Sequence, residues 1–281
     1  TVGIAGDAKQ VAKQILEKLT KKAGDSERDN RKNLIHQTKS AWLQTLTSLD
    51  HEDDDPGTVW NKEARERDKD RMSPRQAWRA IQAAIPDGAI ISSDIGNNCA
   101  IGNAYPTFEK GRKYLAPGLF GPCGYGFPSI LGAKIGCPDT PVIGFAGDGA
   151  FGISMNEMSS CARKEWPAIT MVIFRNYQWG AEKRNSILWF DDNFVGTELD
   201  PELSYAKVAN ACGLKGVTVK TMEETTKALK QSCEDQKKGI TTFLEVILNQ
   251  ELGEPFRRDA MKKPVEIAGI NKEDMRVQKD L

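Results

Sequence analysis

In the second half of the chain, short apolar runs alternate with stretches of helical period. "GAIISSD" (88–94), "PVIGFAGD" (141–148), "AITMVIF" (168–174), "GVTVK" (216–220) and "TTFLEVIL" (241–248) read as strands. Their apolar residues are consecutive rather than alternate, the mark of a strand covered on both faces. Residues 154–165, "SYAKVANACG" (204–213) and "MEETTKALKQSCED" (222–235) read as helices between them. "SPRQAWRAIQAAIP", from Ser73, adds an N-cap serine, a proline at the first helical position and an apolar stripe. A glycine-rich crossing separates the first two strands, and a long loop follows the third. The alternation predicts an α/β fold: a doubly wound, mostly parallel sheet with helices on both faces.

The first quarter has a different texture. "TVGIAG" is strand-like, and a helix follows with Val11, Ile15 and Leu19 on one stripe. Such a remnant buries no core alone, so residues 1–25 read as the end of a preceding domain. Asp7 in "GDA" suits a helix cap better than a second phosphate loop. Ala41 to Leu49 predicts a short amphipathic helix bearing Trp42, Leu43, Leu46 and Leu49. From Glu52 to Arg71, thirteen of twenty residues are charged, which reads as a solvated linker or helix face rather than a metal site. The expected domains are thus 1–25, a charged linker with short helices over 26–72, the main domain over 73–250, and a polar tail over 251–281.

Composition narrows the function classes. Lys and Arg number 39, as do Asp and Glu, so no net charge draws the chain to nucleic acid or to an anionic membrane surface. No apolar run is long enough to span a membrane. Six cysteines are scattered without a C-x-x-C pair, which predicts reduced thiols and a cytoplasmic setting. Only two histidines occur, His36 and His51, both outside the alternating region. A Ser-His-Asp or Cys-His machine is therefore not expected, and the chemistry points to a cofactor.

"FAGDGAFGISMNEM" (145–158) carries the strongest chemical signal. Asp148 lies at the end of a buried strand, where a carboxylate needs a cation, donors or water. Gly147 and Gly149 flank it, as suits a backbone that approaches a ligand, and the first amides of the next helix, from Gly149 and Ala150, lack partners. Asn176 follows 28 positions later, beyond the carboxyl end of the next strand, on the same sheet edge. Asp148, Asn176 and the Gln178 carbonyl form a set of hard oxygen ligands for Mg²⁺, and Gly180 lets the loop turn. An N-capping aspartate and an unrelated turn asparagine would leave the same trace.

The GDG, the spacer and the asparagine resemble the diphosphate-binding motif of thiamine diphosphate (ThDP) enzymes. "SSDIGNN" (92–98) and "PGLFGPCGYGFPSILGAKIG" (117–136) add two further blocks, in the order found in the C-terminal cofactor domain of the acetolactate synthase group. That resemblance implies ThDP and Mg²⁺ as cofactors. It places Asn97 and Asn98 at the diphosphate, the Gly121 carbonyl at the aminopyrimidine, and Cys123 where relatives carry a bulkier prop. "ELGEPFRRDAMKKPV" (251–265) and "GDAKQVAKQIL" narrow the resemblance to the sulfoacetaldehyde acetyltransferases, over their C-terminal half. This family implies conversion of sulfoacetaldehyde and phosphate to acetyl phosphate and sulfite, in taurine degradation. Arg257 and Arg258 then become candidate clamps for sulfonate or phosphate. The activating glutamate is expected outside this chain, on a pyrimidine-binding domain of another segment or subunit, within a homo-oligomer (dimer or tetramer). The chain is on this reading a fragment, a cleaved product or one of two subunits. Two alternatives stay open: an acetolactate synthase-like or 2-oxo acid decarboxylase enzyme, and a non-catalytic ThDP-binding subunit.

Overall fold

A computed structural model describes residues 3–19, 24–48, 66–108, 113–163, 165–190, 193–251, 266–267 and 270–271. The chain forms two units, Thr1–His51 and Glu52–Leu281.

The first unit contains α1 (Ala8–Lys18) and α2 (Asp25–Ser48). Asp7 caps α1 by accepting from the Gln10 amide at 3.0 Å, as expected for "GDA". Of the strand expected at "TVGIAG", the described residues 3–6 form no part of any strand. A strand needs a partner ladder, and the described residues of this unit offer only helices. The short helix expected from Ala41 is the last third of α2, whose 24 residues hold no Gly or Pro to stop it.

The second unit is built on six parallel strands: β1 (Ile90–Ser93), β2 (Tyr114–Leu115), β3 (Val142–Gly147), β4 (Thr170–Arg175), β5 (Lys215–Val219) and β6 (Thr242–Ile247). Their order across the sheet is β2-β1-β3-β4-β6-β5, and every pairing is parallel. The chain leaves β1 to one side for β2 and returns past it for β3, so β1 and β3 flank a topological switch point. Register brings the ends of three strands together, with Ser93 opposite Phe145 and Gly147 opposite Phe174. A separate antiparallel pair joins β7 (Glu266–Ile267) and β8 (Ile270–Asn271).

Helices cover both faces. One face packs Phe127 of α5 (Gly126–Gly136) and Phe151 of α6 (Asp148–Ser154) against Phe243, with ring centroids 5.3 and 5.9 Å apart. The opposite face receives Trp78 from α3 (Pro74–Gln82), 4.7 Å from Phe145 and 5.2 Å from Phe174. Ser73 caps α3, as its sequence predicts, and Gln76 completes a capping box with it. Residues before Ser73 also join this unit: Met72 pairs with Leu248, and Asp68 is fully buried between Arg67 and Arg71.

Three expected boundaries move. The helix expected from residue 154 begins at Asp148 and is interrupted by a 3-10 turn at Met155–Glu157 before α7 (Met158–Cys161). The glycine-rich crossing contains α5, whose first residue is closely packed: a Cβ on Gly126 would meet the Phe145 carbonyl oxygen at 2.7 Å. The long loop after β4 contains α8 (Gly180–Trp189). Two helices complete the unit, α9 (Tyr205–Ala211) and α10 (Met222–Gln236).

Trp78 also fixes the short helix α4 (Asn97–Ile101) that follows β1. Its indole N–H donates to the Asn98 carbonyl at 2.6 Å, and its ring fills the space beside Gly102, where a Cβ would lie 2.2 Å from a ring carbon. Gly102→Ala should therefore lower the unfolding free energy by about 1–3 kcal/mol, read from the urea midpoint. An unchanged midpoint would show that the indole gives way freely.

Candidate functional site

Beyond the carboxyl ends of β1, β3 and β4 lies a cleft of about 170 Å³. It brings together Asn97, Asn98, Gly121, Cys123, Gly147, Asp148, Gly149, Ala150, Asn176, Gln178 and Gly180, the residues that the sequence singles out for a cofactor. Arg257 and Arg258 lie outside the described residues, as does the acidic run at 52–55. Ile95, Gly96, Cys99, Trp179, Ala181 and Glu182 also line the cleft. Ile95 and Gly96 fall inside the "SSDIGNN" block without being singled out by it, and Cys99, Trp179, Ala181 and Glu182 have no motif to announce them.

Asp148 is 1% exposed, and its carboxylate is met from two sides. Oδ2 accepts from Arg175 Nη1 at 3.0 Å and from the Tyr177 amide at 2.6 Å. Oδ1 accepts from the Gly149 amide at 3.0 Å, so this amide is not free for a phosphate. Burial pushes the carboxyl up to about 6, while Arg175 and the Tyr177 and Gly149 amides oppose the shift. Sequence reading missed Arg175 as the counterion, because an arginine ending a buried strand carries no pattern of its own. The guanidinium is 1% exposed, and its Nη2 donates to the carbonyls of Asp200 and Leu203, the latter at 2.9 Å.

Gly149 has a structural cause that differs from the one expected. A Cβ there would lie 2.8 Å from the Trp179 indole, so the side of Gly149 is filled by that ring rather than left open for a ligand. Gly147, by contrast, has nothing within 4 Å of its missing Cβ.

Two orientations of the Asn176 amide meet this neighbourhood differently. With nitrogen toward the carboxylate, it donates to Asp148 Oδ1 at 3.2 Å and to the Gln178 carbonyl at 3.3 Å, and its oxygen accepts from Asn98 Nδ2 at 3.3 Å. With oxygen in that position, three oxygens converge without a proton among them, and a cation is what relieves their repulsion. The donor set is one carboxylate, one amide oxygen and one backbone carbonyl, which fits a hard divalent ion. Among the described residues no group of three or more His, Cys, Asp or Glu side chains is placed to hold a metal. The cleft also holds buried polar atoms without partners: both side-chain polar atoms of Asn97, Asn98 Oδ1 and Gln178 Oε1. Such atoms can be satisfied by a polar ligand or by water.

Asp94 orders the other wall. It is 5% exposed and accepts from the Ile95, Gly124 and Gly126 amides at 2.8, 3.1 and 2.6 Å, tying the glycine run to the end of β1. Burial raises its carboxyl above the ordinary value, and those three amides oppose the rise. Gly121 takes φ 62°, a conformation that favours glycine, and turns the run past Ile95.

The Asp148–Arg175 pair generates a prediction. Arg175→Met should cost about 3–5 kcal/mol of stability, since it strands a buried carboxylate. Adding Asp148→Asn should recover part of that loss in urea unfolding. Additive losses would show that the two groups do not depend on each other.

Residues 94–246, more than half of the chain, match the family model for the thiamine pyrophosphate enzyme C-terminal TPP binding domain. Over 279 residues the chain is 76% identical to the probable sulfoacetaldehyde acetyltransferase of Rhizobium meliloti (strain 1021), covering 99% of this chain and 47% of that protein. It is 71% identical over 277 residues to the sulfoacetaldehyde acetyltransferase of Roseovarius nubinhibens, covering 99% and 46%. The chain thus spans about half the length of the curated relatives it matches. Among solved structures, the thiamine diphosphate-dependent 4-hydroxybenzoylformate decarboxylase of Rhodococcus jostii RHA1 superposes with a TM-score of 0.57 at 26% identity, over 64% of this chain and 33% of that one. The chain belongs to the thiamine pyrophosphate enzymes, and its larger unit contains their C-terminal cofactor-binding domain.

Proposed function

We propose that the protein converts sulfoacetaldehyde and phosphate to acetyl phosphate and sulfite with ThDP and Mg²⁺, and that this chain supplies the diphosphate and metal half of the site. The observation that carries the reading is the convergence of Asp148, Asn176 and the Gln178 carbonyl beside the unpartnered side-chain polar atoms of Asn97 and Oδ1 of Asn98, in a chain 76% identical to a protein of that name.

In this reading Asp148, Asn176 and the Gln178 carbonyl would hold the cation, which would supply positive charge to neutralise the diphosphate. Asn97 and Asn98 offer amide donors to the same group. The Gly121 carbonyl and Cys123 stand on the opposite wall, at the aminopyrimidine end. ThDP, when bound, supplies the electron sink for the cleavage of the carbon–sulfur bond. The tasks of this chain are to neutralise the diphosphate, to fix its orientation and to keep water from the cleft floor. Buried fixed dipoles do this without reorganising. The pyrimidine end falls to a domain on another segment or subunit, which also brings the activating glutamate.

Asp148→Ala in the full-length protein should weaken Mg²⁺-dependent ThDP binding by more than the roughly 1–3 kcal/mol of a buried hydrogen-bond loss, measured by calorimetry. Chelation of Mg²⁺ with EDTA should abolish sulfite release from sulfoacetaldehyde, and re-addition should restore it. Unchanged ThDP affinity in the variant would contradict the ligand assignment. Release of carbon dioxide from a 2-oxo acid, with no sulfite from sulfoacetaldehyde, would contradict the substrate.

A further inference from the structure

Asn176 and Gln178 face the same point of the cleft although one residue separates them. β4 ends at Arg175, and the chain turns at Tyr177, which takes φ 62°. It is the only non-glycine residue with positive φ among the described residues. A bulky side chain there carries a steric cost that glycine escapes. The backbone is held at both ends, since the Tyr177 amide donates to Asp148 Oδ2 at 2.6 Å and its carbonyl accepts from the Leu199 amide at 2.9 Å. A glycine would keep both bonds and lose the strain. The turn alone therefore does not account for a tyrosine.

What the tyrosine adds is a π face for two cations. The Arg175 guanidinium lies 4.2 Å from the ring centroid and the Arg71 guanidinium 4.8 Å. Neither arginine is free to leave. Arg175 is bound to Asp148 and to two carbonyls, and Arg71 pairs at 2.9 Å with the fully buried Asp68. Arg175 is 1% exposed, where cation–π attraction is strongest, whereas the Arg71 side chain keeps 30% exposure and contributes the weaker contact.

We propose that Tyr177 is a positioning residue. Its ring, clamped by Arg71 and Arg175, holds the Asn176–Gln178 turn so that the amide oxygen and the carbonyl are aimed at the Asp148 carboxylate, and it thereby sets the divalent-cation affinity of that cradle. The inference rests on the cation-binding reading above. Mg²⁺ demands near-ideal octahedral geometry, so a small relaxation of the turn lowers affinity before it lowers stability.

The test is a Mn²⁺ titration of the full-length protein at saturating ThDP, with free Mn²⁺ read by its EPR signal. Tyr177→Phe keeps the ring and should bind within about twofold of the parent. Tyr177→Gly removes ring and strain together and should bind about tenfold more weakly. Its apparent Michaelis constant for Mn²⁺ should rise, with turnover at saturating Mn²⁺ little changed. A general structural defect would lower both. If Tyr177→Gly does not fold, Tyr177→Leu keeps the bulk, loses the π face and carries the same expectation. Parent-like Mn²⁺ affinity in either ring-free variant overturns the clamp. A parent that binds Mn²⁺ no better than Asp148→Ala overturns the cation site and the clamp together, while sulfite release by the parent reports separately on the reaction.

Discussion

A carboxylate buried to 1% exposure has to be met by charge and donors, and the arrangement around Asp148 is organised by that requirement. Burial of an isolated ion costs several kcal/mol even after relaxation. Arg175 answers from the neighbouring strand, and the register that puts Gly147 opposite Phe174 places the two side chains within 3.0 Å. Holding Arg175 in turn requires the carbonyls of Asp200 and Leu203, so the connection into α9 is fixed by the same charge. The first residue of α9, Tyr205, closes the circuit by donating its hydroxyl to the Asp148 carbonyl at 2.8 Å. One side of the carboxylate is thereby satisfied within the protein. The other turns toward Asn176 and the cleft.

The opposite wall depends on a second buried carboxylate. Among the described residues Asp94 is met by backbone amides, those of Ile95, Gly124 and Gly126, and they give the glycine run a defined path. Trp78 braces the same region from the far face of the sheet, reaching both Phe145 and the Asn98 carbonyl. The cleft is thus framed by packed side chains and short hydrogen bonds. Such a frame suits a site whose function is to hold a highly charged cofactor in one orientation.

Five of the six sheet strands, the sheet class and the gathering of Asp148, Asn176 and Gln178 were legible in the sequence because each rests on local pattern, whereas the two-residue β2 is too short to leave one. Apolar runs mark buried strands, and a strand followed by a glycine turn and helix marks a ligand edge in parallel sheets. What escaped depends on contacts distant in sequence. Arg175 and Asp94 look like ordinary charged residues at strand ends until their partners are known. Gly149 looked like a gap left for a ligand, yet the Trp179 indole fills it. Tyr177 gives no sign in the sequence of a left-handed backbone, since tyrosine rarely adopts one. The helices α5 and α8 were hidden for a related reason. Glycine and loop-like polarity weaken a helical pattern, and tertiary packing supplies what propensity lacks.

The proposed function requires Asp148, Asn176 and the Gln178 carbonyl to form one cation cradle. The most direct measurement is anomalous diffraction from crystals of the full-length protein grown with ThDP and Mn²⁺. A single strong anomalous peak is expected in this cleft, about 2.0–2.2 Å from Asp148 Oδ1, Asn176 Oδ1 and the Gln178 carbonyl oxygen, with the Asn176 nitrogen turned toward Asn98. A peak elsewhere, or an Asn176 amide that still donates to Asp148 with ThDP and Mn²⁺ bound, would contradict it.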